Sequence, residues 1–228
     1  VPEISTTQGL PTIYMPLAFI VFVSAVRAAV EDYHRHKADE QTSSTPYFVY
    51  SREGRSFQLK RSGDIAVGDI VMVKKDETVP ADMIILSTSD VRNGQAFVDK
   101  KSLNGETSLE IMLALRETYD VYNHPDAVSH LRCKVTTNPP DGIFDNFFGT
   151  LELYSSKEEI MRSSQFWSAQ LNQRRAVVPG NEGIPASEQP QTTTVALNNK
   201  MLMLRETSLR STEWAIGLVV YTGKDTKI

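Results

Sequence analysis

The sequence predicts a mainly β protein preceded by one long helix, and three observations carry that expectation. A single long apolar run lies near the start, at residues 13–30. Short β-branched runs separated by turn dipeptides follow between residues 47 and 98. A polar stretch rich in proline and glycine, residues 178–194, then interrupts the pattern before apolar runs resume.

The bulk composition is that of an ordinary globular chain. With 228 residues, 40% hydrophobic and 23% charged, it is long enough for one or two domains with a core, and collagen-like, coiled-coil and wholly disordered readings fall away. A net charge of −4 provides no global positive field, so nucleic acid is not an expected partner. The single cysteine, Cys133, excludes an intrachain disulfide and any multi-cysteine metal site. His34, His36, His124 and His130 come as two spaced pairs with no acidic cluster beside them and read as solvated surface residues.

Residues 13–30, IYMPLAFIVFVSAVRAAV, carry one charge, Arg27, over nearly the ~20 residues that a bilayer-spanning helix needs. A secretory signal places its basic residues before the apolar run, whereas Arg27, Arg35 and Lys37 lie at or beyond its end. That polarity suits a spanning helix whose C-terminal end faces the cytoplasm. With no proline or glycine between Leu17 and Thr42, the helix is expected to continue as a charged stalk through Glu31, Asp32, Arg35 and Asp39.

Beyond the polar break at 41–46, strands are expected over 47–50, 70–73, 83–86 and 96–98, and again over 147–153, 200–205 and 214–221. Glu53-Gly54, Gly68-Asp69, Pro80-Ala81-Asp82, Asn93-Gly94 and Asn104-Gly105 punctuate them, which suggests a small sandwich or roll. Ile84 and Ile85 fall in a continuous apolar run, so that strand should be covered on both faces. Residues 157–175 are compatible with a helix presenting Ile160, Trp167 and Leu171, and residues 178–194 with a disordered insertion. No repeat, GxxxxGK[ST] loop or GxGxxG turn occurs, so no known ATP-binding loop is present.

Chemistry is therefore sought in residues 67–110, where VGDIVMVKKDETVPADMIILS is followed by FVDKKSLNGETSLE. Gly68-Asp69 and Pro80-Ala81-Asp82 read as hairpin turns whose acids bond their own backbone. In Asn104-Gly105-Glu106-Thr107, Asn-Gly supplies a tight turn with positive φ and places the next carboxylate at a loop tip. Alone, such a tripeptide is ordinarily a hairpin and nothing more.

As an ordered set, VGDIV, PADMIIL, SLNGETSLE and TEWAIGLVVYTGKDTKI resemble the actuator domain of P-type ATPases, pumps that cycle through an aspartyl-phosphate. The stalk EDYHRHKAD, the stretches NPPDGIFDNFFGTL and LRETSLRSTEW, and threonine at 107 resemble the phospholipid-flippase branch. The resemblance implies an actuator-type distorted jelly roll, or β-roll, behind one long transmembrane-stalk helix. It divides the chain into residues 1–12 (the end of a first membrane helix and an exoplasmic loop), 13–40 (membrane helix and stalk), 41–154 (first part of the actuator), 155–198 (insertion) and 199–228 (last strands and a linker). The phosphorylated aspartate motif, the nucleotide-binding domain and the other membrane helices are not in this sequence, so it is expected to be a fragment of an integral membrane protein, with the actuator cytoplasmic.

By the same resemblance, Glu106 positions the water that hydrolyses the aspartyl-phosphate, Gly105 keeps the approach open, and Thr107 orients the loop. Asn104 stands where flippases usually have aspartate, keeping an acceptor oxygen and losing the charge. Ser108 and Glu110 replace the usual asparagine and lysine, and Glu206 a usual glycine. No cofactor is expected on the fragment itself. ATP and Mg²⁺ are implied for the full-length protein, with the phosphorylation and nucleotide-binding domains of the same chain and a phospholipid substrate as partners, and with room for an accessory membrane subunit. The alternatives left open are the actuator of a cation pump, which shares the VGD, PAD and GE motifs but not the stalk and TEW features, a pump-like module fused to another activity with relaxed catalysis, and a non-enzymatic β module that docks a partner.

Overall fold

The computed structural model describes residues 14–122, 125–143, 145–154 and 192–227. The expected helix at 157–175, the expected disorder up to 191 and the expected exoplasmic loop at 1–12 lie outside the described residues. The chain divides into two compact units, Val1–Thr45 and Pro46–Ile228.

In the first unit, helix α1 (Tyr14–Ser44) runs unbroken for 31 residues, or about 46 Å at 1.5 Å per residue, enough to cross the ~30 Å hydrocarbon core and extend beyond it. It is long and apolar enough to span a membrane, and none of its side chains is buried within the protein. Pro16 sits in the first turn, where its missing N–H costs no helical bond. Beyond the apolar stretch, Arg27 Nε reaches Glu31 one turn on, at 3.1 Å. At the far end the hydroxyls of Thr42, Ser44 and Thr45 donate to the carbonyls of Ala38, Glu40 and Gln41, and Pro46 then forbids continuation.

The second unit is built from three antiparallel sheets. The largest takes β1 (Pro46–Ser51), β2 (Ser56–Arg61), β3 (Ile70–Lys74), β4 (Asp82–Thr88), β10 (Leu202–Met203) and β12 (Trp214–Tyr221), in the order β10-β4-β12-β3-β1-β2. All seven residues of β4 are buried, as its continuous apolar run predicts. Ile84 and Leu86 pack into one core cluster, Met83 and Ile85 into another, so the strand is covered on both faces. Gly217 of β12 crosses β4 at a register shift, where an added Cβ would stand 2.7 Å from the sulfur of Met83 and 3.2 Å from the Ile84 carbonyl.

Two smaller sheets flank this one in sequence. β5 (Gln95–Asp99) and β6 (Leu109–Leu113), with α2 (Lys101–Asn104) between them, form a hairpin, and β11 (Ser208–Arg210) pairs along β5. The third sheet, preceded by the short helix α3 (Pro125–Ser129), is β7 (Cys133–Thr137), β8 (Phe148–Leu153) and β9 (Thr193–Asn198).

Several local expectations change. Gly68-Asp69 and Pro80-Ala81-Asp82 are not hairpin turns: the first joins β2 to β3, which β1 separates, and the second joins β3 to β4, which β12 separates. Asn93-Gly94 connects two different sheets. In the β1–β2 hairpin the positive φ, 45°, falls on Arg55 rather than on Gly54. Residues 193–198, expected within the insertion, form β9. The strand expected over 200–205 reduces to a 3₁₀ turn followed by two-residue β10, since the backbone beyond is captured by other groups.

Candidate functional site

The four residues of the NGET motif sit together on the connection between β5 and β6. Asn104 closes the α2 turn, and Gly105 caps it in the left-handed region at φ 74°, with open space around its Cα. The connection is therefore a helical turn with a glycine cap, not a two-residue hairpin. Asn104 Oδ1 accepts the Glu106 backbone N–H at 3.0 Å, so the amide at 104 retains the acceptor role that an aspartate would have. Residues 104–110 are all exposed, and among the described residues neither the Glu106 carboxylate nor the Thr107 hydroxyl has a hydrogen-bond partner.

A rigid base supports this open tip. Lys100 Nζ meets Glu110 Oε2 at 2.6 Å, so the charge at Glu110 is matched by a largely buried lysine across the hairpin. Lys101 N–H donates to Asp99 Oδ1. Arg210 on the adjoining β11 pairs with Asp76 and lies 3.8 Å from Asp99. Inside the loop, Ser102 Oγ donates to the Glu206 carbonyl at 3.0 Å, tying α2 to the turn at 204–207.

That turn is fixed by residues whose importance the sequence did not disclose. Asp82 is fully buried, and its two carboxylate oxygens accept the backbone N–H groups of Arg205 at 2.7 Å and Lys227 at 2.8 Å. Burial raises its pKa, opposed by those two bonds and by the charges of Lys227 and Arg205. Glu206, at φ 64°, occupies a glycine-type conformation, and its N–H donates to Val79. Thr207 and Thr212 are buried and bonded: Thr207 Oγ1 donates to Leu204, and Thr212 Oγ1 accepts from Phe97 N–H. Asp69, by contrast, does local work, accepting Ala66 N–H at 3.0 Å and pairing with Lys60 at 2.7 Å.

The ammonium of Lys227 is itself enclosed. It donates to Asp141, to the Asn146 carbonyl at 2.9 Å and to the Ile143 carbonyl at 3.3 Å, with the Tyr221 ring beyond. Tyr221 OH in turn donates to the Asn138 carbonyl at 2.7 Å. The lysine bond holds the Asp141 carboxyl below the usual carboxylate range. Hydrogen bonds and short stretches of backbone thus link Lys227 through Asp82, Arg205-Glu206 and Ser102 to the turn that carries Glu106. Among the described residues no group of three or more His, Cys, Asp or Glu side chains converges in a way that would hold a metal ion.

The NGET turn is thus an exposed, charge-bearing tip on the β5–β6 connection whose foot is tied to the surrounding strands and turns. Residues 43–136 match the sequence model of the P-type ATPase actuator domain. Over its full length it is 29% identical to phospholipid-transporting ATPase FetA of Mus musculus, 30% to phospholipid-transporting ATPase IC of Xenopus tropicalis and 29% to phospholipid-transporting ATPase DRS2 of Saccharomyces cerevisiae. All 228 residues are covered in each comparison, yet the chain spans only 14–16% of those relatives' lengths.

Proposed function

We propose that the chain is the actuator of an ATP-driven phospholipid flippase, and that Glu106 promotes hydrolysis of an aspartyl-phosphate formed in a domain outside this sequence. The observation that carries the reading is the contrast in solvation at one hairpin: a carboxylate at the tip with no partner among the described residues, above a base in which charges and turns are satisfied. Water attacking phosphorus must lose a proton, and a carboxylate in hydrogen-bond reach accepts it as the P–O bond to the aspartate breaks. Gly105 adds no side chain between tip and phosphate, and the Asn104–Glu106 turn fixes the direction in which the carboxylate leaves the loop.

Transport is coupled to this step by rigid-body motion of the domain on its connections, with α1 crossing the membrane and its charged end on the cytoplasmic side. ATP and Mg²⁺ act in the parts of the protein that form the phosphoenzyme, and the lipid is chosen largely by membrane helices outside this sequence. Similarity over the full 228 residues to three phospholipid-transporting ATPases supports a lipid rather than a cation as cargo. The test is made in the full-length protein with Glu106→Gln, which keeps size and turn but removes the base. Phosphoenzyme should form normally from ATP and then persist, unresponsive to the transported lipid. Decay at the wild-type rate would end the proposal.

A further inference from the structure

Away from the NGET loop, a half-open cavity of about 550 Å³ lies between the β1–β2 hairpin, β12 and β7, within the size range of small-molecule sites. Its floor is apolar. Ile70 of β3 and Leu218 of β12 face each other as a cross-strand pair, with Val220 two residues along the same strand. Its wall is the side of β7 that carries Cys133, Val135 and Thr137, the residues that alternate with exposed ones along that strand. The Arg132 carbonyl accepts the Tyr154 N–H at 2.9 Å, which fixes the rim where β7 begins.

The rim, unlike the floor, is charged with one sign. Arg52, from the β1–β2 hairpin, and Arg132, at the entry to β7, both line the cavity, and among the described residues no aspartate or glutamate does. Neither guanidinium has an acidic partner among the described residues. Lys60, Lys100, Arg205, Arg210 and Lys227 each meet a carboxylate, whereas Arg52 and Arg132 share with Arg55, Arg61, Lys75 and Lys224 the lack of one among the described residues, and are set apart by their place on the cavity. In a chain whose net charge is −4, two unmatched arginines over an apolar floor form a local positive field above a surface that water covers poorly. Burial pushes the Cys133 thiol pKa up, and the charge of Arg52 opposes that shift in part.

We infer that this cavity is a binding site for a small soluble amphiphilic anion, a single phosphate or carboxylate head on an apolar chain. The head would be held by Arg52 and Arg132, whose planar donors match phosphate and carboxylate oxygens. The tail would lie on Ile70, Leu218 and Val220 against Val135. The site is separate from Glu106 in the sequence and requires nothing from the proposed hydrolysis.

Cys133 is the only cysteine in the sequence, so its alkylation reports on the cavity alone. The 228-residue chain in nanodiscs of neutral phosphatidylcholine would be treated with a maleimide, with and without octyl phosphate. Octyl phosphate should slow the reaction saturably, while inorganic phosphate and octanol at the same concentrations should not. In Arg52→Ala/Arg132→Ala, where both changes are at exposed positions, half-protection should need at least about tenfold more octyl phosphate, the loss expected when charge-assisted hydrogen bonds go. An unchanged melting temperature would show that the variant is folded. Tail partitioning into the nanodisc is the same for both proteins and cancels from the ratio. No protection, or equal protection in the double variant, would overturn the inference. Protection by phosphate alone would make the ligand a bare anion. Protection by octanol alone would make the site merely apolar. Protection by phosphatidylserine nanodiscs without added amphiphile would make it a membrane-lipid contact. Each of these results also refutes it.

Discussion

Two acids of neighbouring motifs, Glu106 and Asp82, have opposite surroundings in the same β-roll. Glu106 stands on an exposed turn with its carboxylate free of partners among the described residues, whereas Asp82 is fully buried with both oxygens bonded to distant backbone N–H groups. A carboxylate that must act on something outside its own domain has to remain solvated and unengaged. One that must hold two chain segments together has to be dry and saturated, because an unsatisfied buried charge is costly. Environment rather than residue type divides the labour, and the path of hydrogen bonds and backbone between them joins reach to anchorage.

The comparison can be broken at either end. The largest effect is expected for Glu106→Gln in the full-length protein, where loss of a positioned base should slow phosphoenzyme decay by ~10²–10⁴, or roughly 3–5 kcal/mol of barrier. Asp82→Asn should act on stability instead. Asparagine has one acceptor oxygen for two N–H groups and turns its amide donors toward one of them, so unfolding should become easier by about 1–3 kcal/mol, read from the chemical-denaturation midpoint. A variant as stable as the wild type would mean that Asp82 does not anchor the two segments.

Smaller changes sharpen the picture. Glu206 pays the cost of a left-handed backbone, and Glu206→Gly should relieve it, raising stability by about 0.5–1 kcal/mol after allowing for the greater freedom of glycine in the unfolded chain. A loss of stability would place more weight on the side chain than on its backbone. The smallest effect is expected at Asn104. Asn104→Asp keeps the acceptor for Glu106 N–H, so decay should change by less than about threefold, or 0.7 kcal/mol. A larger acceleration would show that the charge itself, and not the turn, limits this loop.

The parts of this arrangement that were legible in the sequence are those with strong local signals. The apolar helix, the buried runs that became β1, β3, β4, β5 and β12, and the positive φ at Gly105 all follow from composition and turn chemistry. Strands with mixed faces were harder to see. β2 reads SFQLKR and β7 reads CKVTT, with few or no fully buried positions, so no apolar run marks them. β11 is three residues long and exists through its pairing with β5. Asp82 looked like turn chemistry because its partners, Arg205 and Lys227, are more than a hundred residues away in the chain. Lys227 carried no local signal for the same reason, since Asp141, Ile143 and Asn146, which enclose it, lie more than eighty residues away in the chain. Only the glycine-type position of Glu206 was flagged, through the residue that relatives usually carry there.

The division of labour is tested most directly by measuring both quantities on both variants of the full-length protein. Phosphoenzyme decay and the denaturation midpoint would be recorded for Glu106→Gln and Asp82→Asn beside the wild type. The account predicts a crossed result: Glu106→Gln loses about a hundredfold or more in decay rate with an unchanged midpoint, because its side chain bonds nothing among the described residues, and Asp82→Asn loses stability while the folded fraction still turns over. A Glu106→Gln protein that unfolds more readily yet releases phosphate at the normal rate would contradict it.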